Sequence, residues 1–125
     1  MYHTTRGLIL REAKYKESDK ILTILTETEG KITAKARGVA RTRSKLAAAT
    51  QLLCFSELTL FGHKGYWTIN EAVTVEQFRG LRGDIELLAL GSYFAELLEA
   101  VSDEDCPEPE ILQAASHAFQ ESPFR

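Results

Sequence analysis

The feature of this sequence with the clearest chemistry is a run of cations without any acidic residue between them. From Gly30 to Ser56 the chain contains no aspartate or glutamate. The cations in that span are Lys31, Lys35, Arg37, Arg41, Arg43 and Lys45. Nucleic-acid phosphates form a regular row, so a protein that binds them needs cations along a path that carboxylates do not interrupt. Thr42 and Ser44 add neutral donors for phosphate oxygens. The span therefore predicts a surface that binds nucleic-acid backbone.

Aromatic residues give a second, weaker signal of nucleic-acid binding. Exposed rings hold single strands by stacking on their bases. The candidates for such a role are Tyr15, Phe61, Tyr66 and Trp67. Tyr66 and Trp67 are adjacent, so on a strand they point to opposite faces. We predict that Tyr66 points outward and contributes to nucleic-acid binding, whereas Trp67 points inward and, like Phe61, packs in the core.

Sequence patterns typical of catalysis or metal binding are missing. No histidine has a cysteine, aspartate or glutamate at the spacing that metal sites use. No nucleophile elbow, zinc-protease helix motif or Walker sequence occurs. We therefore expect no catalytic residue, no metal and no cofactor.

The distribution of charge predicts two parts with different tasks. Residues 1–80 contain thirteen lysines and arginines against eight acids, whereas residues 81–125 contain two against ten. The sequence has no secretory signal and no run of about 20 apolar residues that could cross a membrane. Its two cysteines, Cys54 and Cys106, fit no disulfide or metal pattern. We expect a cytosolic protein with free thiols.

Strands dominate the first part. Alternating or β-branched apolar segments bounded by turn residues predict strands at residues 4–13, 20–26, 31–37, 52–61 and 66–75, with a short helix at 45–50. On the fifth strand we expect a shared inner face of Trp67, Ile69, Val73 and Val75. Three strands, a helix and two strands is the order of an OB-fold, a five-stranded Greek-key barrel. An SH3-like barrel fits this order less well. We predict a mainly β protein with an OB-fold nucleic-acid-binding barrel over residues 1–80.

The second part, residues 81–125, reads as the beginning of an α-helical domain. Asp84 can cap a helix that runs to Val101. That helix is apolar on nearly all sides, so it is expected to have neighbours on more than one side. A second helix is predicted from about Pro107 to Pro123. We expect a truncated helical domain belonging to a longer protein, or a dimer that buries the same faces.

Three segments resemble the RecO family of bacterial DNA repair proteins, in its N-terminal barrel and the start of its helical domain. They are YKESDKILTILTETEGK at 15–31, AKARGVARTRSKL at 34–46 and FRGLRGDIELLALGSYFAELLEAV at 78–101. Their order and spacing carry the resemblance more than any single motif.

The resemblance implies a mediator of recombinational repair. It implies binding of single- and double-stranded DNA, annealing of complementary strands, and work with RecR and single-stranded-DNA-binding protein to load recombinase. The basic barrel residues of the family match Lys35, Arg37, Arg41, Arg43 and Lys45. Family members often carry a four-cysteine zinc module, and these 125 residues do not contain those cysteines.

Two other functions fit the same residues. An RNA-binding OB module would use the same basic face. A protein-interaction scaffold would dock an acidic partner on that face, and the acidic helices would then contact other proteins. A basic face can also be merely solvated, without a ligand.

Overall fold

The elements of the fold follow the predicted order of three strands, a short helix and two strands. The computed structural model describes residues 2–39, 45–63, 65–78, 85–102 and 110–114. Its elements are β1 (Tyr2–Tyr15), β2 (Asp19–Thr26), β3 (Gly30–Ala36), α1 (Lys45–Ala49), β4 (Phe55–His63), β5 (Tyr66–Glu76) and α2 (Ile85–Val101). A further helical segment covers residues 110–114. The order is as the sequence predicts.

The five strands form a closed barrel in the order β1-β2-β3-β5-β4, and β4 returns to pair with β1. Closure pairs the edges that a small open sheet would expose. All neighbours are antiparallel except β3 and β5, which pair in parallel through two residue pairs, Ala34 with Trp67 and Lys35 with Thr68. This closed five-stranded architecture confirms the prediction of an OB-fold followed by helices.

Apolar side chains from all five strands fill the barrel. On β3 the alternate residues Ile32, Ala34 and Ala36 are at most 1% exposed. They pack with fully buried leucines and isoleucines of β1, β2 and β4 and with Ile69 of β5. Alternation of this kind requires the intervening residues of β3 to lie on the outer surface. That is why the basic residues of this strand lie outside the barrel.

A second apolar cluster joins the barrel to α2. Ile9 of β1 lies in the barrel core, whereas its neighbours Leu8 and Leu10 pack with Ala95 and Leu98 of the helix. A strand that is covered on both faces needs a continuous apolar run rather than an alternating one. The run Leu8–Leu10 is therefore explained by the helix on its outer face.

The barrel covers one side of α2. The residues buried on that side are Gly91, Ala95 and Leu98. Elsewhere on the helix several large apolar side chains are exposed, among them Tyr93 at 60% and Leu90 at 64%. Part of the expected second neighbour is the helical segment at 110–114, where Leu112 is 1% exposed and belongs to the same cluster as Ala95 and Leu98. No helix in the described ranges is long and apolar enough to span a membrane.

A bulge in β5 reverses the facing of its second half. Ile69 and Glu71 pair with consecutive residues of β4, so Asn70 is an extra residue in the ladder. The alternation shifts by one position after it. Val73 and Val75 are consequently 61% and 48% exposed. The prediction that these valines share the inner face was wrong, because alternation was counted through the bulge.

The strand β4 begins at Phe55, three residues later than predicted. Leu53 has a positive φ of 64°, which no strand residue adopts. Its amide donates to the carbonyl of Ile9 at 2.8 Å, and the Ile9 amide donates to the carbonyl of Cys54 at 3.0 Å. Leu53 and Cys54 are therefore buried in a turn that is hydrogen-bonded to β1.

Lys31 connects the barrel to the C-terminal end of α2. Its Nζ atom donates a hydrogen bond to the backbone carbonyl of Glu99 at 2.7 Å. The last four carbonyls of a helix have no partner within the helix, and a cation there also complements the helix dipole. The ammonium group of Lys31 therefore holds this end of the helix against the barrel.

We expect the substitution Lys31→Met to lower the free energy of unfolding by about 1–2 kcal/mol, because it removes a charge-assisted hydrogen bond from a half-buried carbonyl. Urea denaturation monitored by circular dichroism measures the change. Lys14→Met, at an exposed lysine of β1, is the control and should stay within about 0.5 kcal/mol of the parent. Equal midpoints for the two variants would contradict the role of Lys31.

Candidate nucleic-acid interface

Lys35 and Arg37 lie next to each other along the outer surface of β3. They are two residues apart, so they share a face. Lys35 is half-buried and Arg37 is exposed, whereas Ala34 and Ala36 between and beside them are buried. We call Lys31, Lys35 and Arg37 the β3 basic face. Its placement outside the barrel agrees with the alternation seen in the sequence.

The side chain of Lys35 rests against an aromatic ring from another strand. Its Nζ atom lies 5.1 Å from the centre of the Tyr15 ring, and Nζ of Lys16 lies 5.3 Å from the same centre. Both distances are within the range of a cation–π contact. Tyr15 thus brings two ammonium groups to one place, at the end of β1. Sequence reasoning did not select Lys16, although its position directly after Tyr15 in the turn to β2 was a usable signal.

The turn between β1 and β2 also fixes where the basic connector leaves β3. The amide of Gly38 donates a hydrogen bond to Oδ1 of Asp19 at 2.9 Å. Gly38 has a φ of 71°, which favours glycine. The chain therefore leaves β3 at the end of the barrel where Tyr15 and Lys16 lie.

The connector after β3 is anchored at both ends. Before it, Val39 is buried in the barrel core, and after it Leu46 of α1 packs against the same core. Arg41 and Arg43, two of the predicted contacts, lie outside the described residues. Lys45 is the first residue of α1. The described residues on either side of the connector therefore both pack on the barrel core.

Lys31 differs from the other members of the β3 basic face. Its ammonium group donates to the Glu99 carbonyl, and Glu99 also lies 3.5 Å from Arg11 through its carboxylate. Lys31 therefore contributes positive charge at the end of the face that is nearest α2. Lys35 and Arg37, in contrast, make no hydrogen bond or ion pair with any residue that the structure describes.

A cleft adjoins Lys35 and Arg37 where β3 meets β5. It has a volume of about 390 Å³, at the lower end of the range for small-ligand sites. Aromatic side chains form much of its wall, namely Phe61, Tyr66 and Trp67. Phe61 is 37% exposed, so the prediction that it packs in the core was wrong. Its strand neighbour Leu60 points into the core, and adjacent strand residues face opposite ways. The cleft places rings and cations next to each other, which is the combination that single-strand-binding surfaces use.

The two adjacent aromatic residues of β5 divide as predicted. Tyr66 is 78% exposed, whereas Trp67 is half-buried and packs against the barrel core. Gly62 on β4 makes room for the indole, because a Cβ atom there would lie 2.9 Å from its Cζ3 atom. His3 meets the indole edge-on at 5.3 Å between ring centres. Trp67 is thus held in place with part of its surface in the cleft.

Comparisons with known proteins agree with this architecture. The family described as "Recombination protein O N terminal" matches residues 1–78, more than half of the chain. A protein named DNA repair protein RecO from Acetivibrio thermocellus is 38% identical over 112 residues, which is 90% of this chain and 45% of the relative. The protein of the same name from Clostridium novyi is 36% identical over 115 residues, covering 92% and 45%.

A third relative of that name, from Listeria monocytogenes, is 37% identical over 107 residues, covering 86% of this chain and 42% of the relative. The chain therefore spans less than half the length of these curated relatives.

Proposed function

The chain belongs to the RecO family, and from this premise we propose that it is the DNA-binding part of a mediator of recombinational DNA repair. In this role the barrel of residues 1–80 holds the backbones of single- and double-stranded DNA. It promotes annealing of complementary strands. Together with RecR and single-stranded-DNA-binding protein it helps to load recombinase, in the cytoplasm.

The observation that carries the proposal is the position of Lys35 and Arg37 on the outside of β3, next to the exposed ring of Tyr66. The proposed DNA contacts are Lys31, Lys35, Arg37, Arg41, Arg43, Lys45 and Tyr66, to which the structure leads us to add Lys16. Lys31 contributes positive charge to this surface while its ammonium group donates a hydrogen bond to the Glu99 carbonyl of α2. The role of the helices in residues 81–125, as the start of a helical domain that contacts partner proteins, is part of the same proposal.

Annealing of this kind needs no catalytic side chain, metal or cofactor. Two DNA strands repel each other through their phosphates, and a basic surface that holds both backbones screens this repulsion. The protein supplies a place where two strands meet at lower electrostatic cost. Base pairing between the strands then provides the free energy of the product.

An annealing assay tests the proposal. Two short complementary DNA strands carry a donor and an acceptor dye, and energy transfer reports their pairing. We expect the chain to accelerate pairing at low salt and the double variant Lys35→Ala/Arg37→Ala to lose most of that acceleration. The control Arg6→Ala removes an exposed cation of β1 that is not part of the β3 basic face. It should leave the annealing rate unchanged.

Competition between DNA and RNA of one sequence separates the alternatives. The proposal predicts that DNA displaces labelled DNA at least as well as RNA does. Preferential displacement by RNA would favour an RNA-binding module. Weak binding of both nucleic acids, with tight and salt-sensitive binding of an acidic peptide, would favour a protein-interaction scaffold. Either result would contradict the proposed function.

A further inference from the structure

The cleft between β3 and β5 has the chemistry of a site for one unpaired nucleobase. Its floor is at the parallel seam, where Ala34 pairs with Trp67 and Lys35 with Thr68. The four residues of this seam line an opening of about 390 Å³. The cleft therefore lies where β3 and β5 close the barrel.

The walls of the cleft match a flat, largely apolar ring with polar edges. Trp67 and Phe61 offer aromatic surface, and Tyr66 stands exposed at the rim. The hydroxyl groups of Thr33 and Thr68 are donors and acceptors for the edge of a base. Sites for planar ligands combine apolar walls with a few polar groups in this way.

The positive charge at the rim of the cleft indicates that a ligand ring should carry an anionic group. Lys35 and Arg37 line the same cleft, and none of its described lining residues is acidic. An aromatic side chain of a protein partner carries no anion of its own, so a separate acidic group of that partner would have to reach these cations. A nucleotide brings a phosphate a few ångströms from its base, so one ligand can satisfy both the rings and the cations.

We infer that this cleft receives a single unpaired nucleobase while Lys35 and Arg37 hold the adjacent phosphate. The inference rests on the proposed function and extends it from the backbone to a base. In a duplex the bases are stacked and paired, so a base enters the cleft only from a single strand or at the cost of unpairing. The site therefore distinguishes single strands from duplex, whereas the cations alone bind both.

Trp67 makes the inference measurable, because it is the one tryptophan of the chain. The intact chain is titrated with a short thymidine oligonucleotide and with an oligonucleotide of equal length in which every base is absent. Anisotropy of a dye on each oligonucleotide measures binding, and tryptophan emission measures contact with bases. We expect both to bind at low salt, the abasic strand about tenfold more weakly, and only the base-bearing strand to quench Trp67.

The rim residue Tyr66 provides a variant that should fold normally, since its side chain is 78% exposed. Tyr66→Ala is expected to weaken thymidine binding about fivefold, with no effect on the abasic strand. Tyr66→Phe should restore the parent affinity. Tyr93→Ala, at an aromatic residue that is 60% exposed on α2, is the matched control and should not alter either affinity.

The possible results distinguish failure of the base site from failure of the proposed function. Equal affinity for the two oligonucleotides, with equal Trp67 emission, would overturn the base site and leave backbone binding in place. The base site would also be overturned if Tyr66→Ala and Tyr93→Ala behave alike. Failure of both oligonucleotides to bind at low salt would overturn the proposed function and the base site together.

Discussion

Reversing the charge of Lys35 and Arg37 together, to glutamate, is expected to weaken binding of DNA by about a hundredfold or more at low salt. The reason is counterion release. Each phosphate that a cation neutralises frees bound salt ions, which at about 50 mM salt favours binding by roughly tenfold per phosphate. Removing two such contacts loses both factors, and the new carboxylates add repulsion. Dye-labelled DNA and anisotropy at several salt concentrations measure the effect.

The salt dependence identifies the cause of the loss. If both residues contact phosphates, the log–log slope of duplex affinity against salt should become shallower by about 1.8, since each contact contributes about 0.9. The charge reversal Arg6→Glu has the same chemistry at an exposed residue that does not line the cleft, and it should change the slope by less than the value of about 0.9 for one contact. A double variant that retains the parent slope would place the phosphate contacts elsewhere.

Replacing Ile69 by alanine is expected to destabilise the barrel by about 2–5 kcal/mol. This side chain is 4% exposed and packs in the core beside residues of β3 and β4. Its truncation loses apolar burial and leaves a cavity that a closed barrel cannot collapse around fully. Urea denaturation monitored by circular dichroism gives the difference in the free energy of unfolding.

Val73→Ala is the matched control for this prediction, because it lies on the same strand after the bulge. Val73 is 61% exposed, so its truncation should change stability by about 0.5 kcal/mol or less. A comparable loss in the two variants would mean that alternation runs through Asn70 without interruption and that the bulge is absent.

The bulge shows where sequence alone fails to define the fold. Alternation is a local pattern, and it correctly identified the inner and outer faces of β3 from Ile32, Ala34 and Ala36. On β5 the same counting rule failed at Asn70, because the extra residue is set by pairing with β4, a partner about ten residues away. Only the register between two strands can show such an insertion.

The prediction that the fourth strand begins at residue 52 was wrong for a similar reason. Residues 52–54 are as apolar as a buried strand, and Leu53 and Cys54 are indeed buried. Their backbone nevertheless forms a turn that pairs with Ile9. Hydrophobicity predicted the environment of these residues correctly, whereas their conformation depended on contacts with β1.

The candidate site was predictable in its charge and only partly in its geometry. Absence of acids between Gly30 and Ser56 was visible in the sequence, and alternation placed Lys35 and Arg37 outside the barrel. The hydrogen bond from Lys31 to Glu99 joins residues 68 positions apart, and no local pattern contains that information. The cation–π contacts of Tyr15 also depend on β2 lying between β1 and β3.

The exposed face of Tyr66 and the buried part of Trp67 illustrate what a strand pattern can decide. Adjacent residues on a strand face opposite ways, and the more apolar ring takes the core. The cleft beside them could not be foreseen, because it lies where β3 and β5 pair, and no local pattern shows which strands close the barrel. Such a cleft belongs to the closure of the barrel rather than to any segment of the sequence.

The salt dependence of duplex affinity tests the central claim most directly, namely that cations of the barrel bind DNA phosphates. If about four phosphates are neutralised, the log–log slope of the association constant against salt should be about −3.6. Affinity that stays constant as salt rises, or absence of binding at the lowest salt, would contradict this claim.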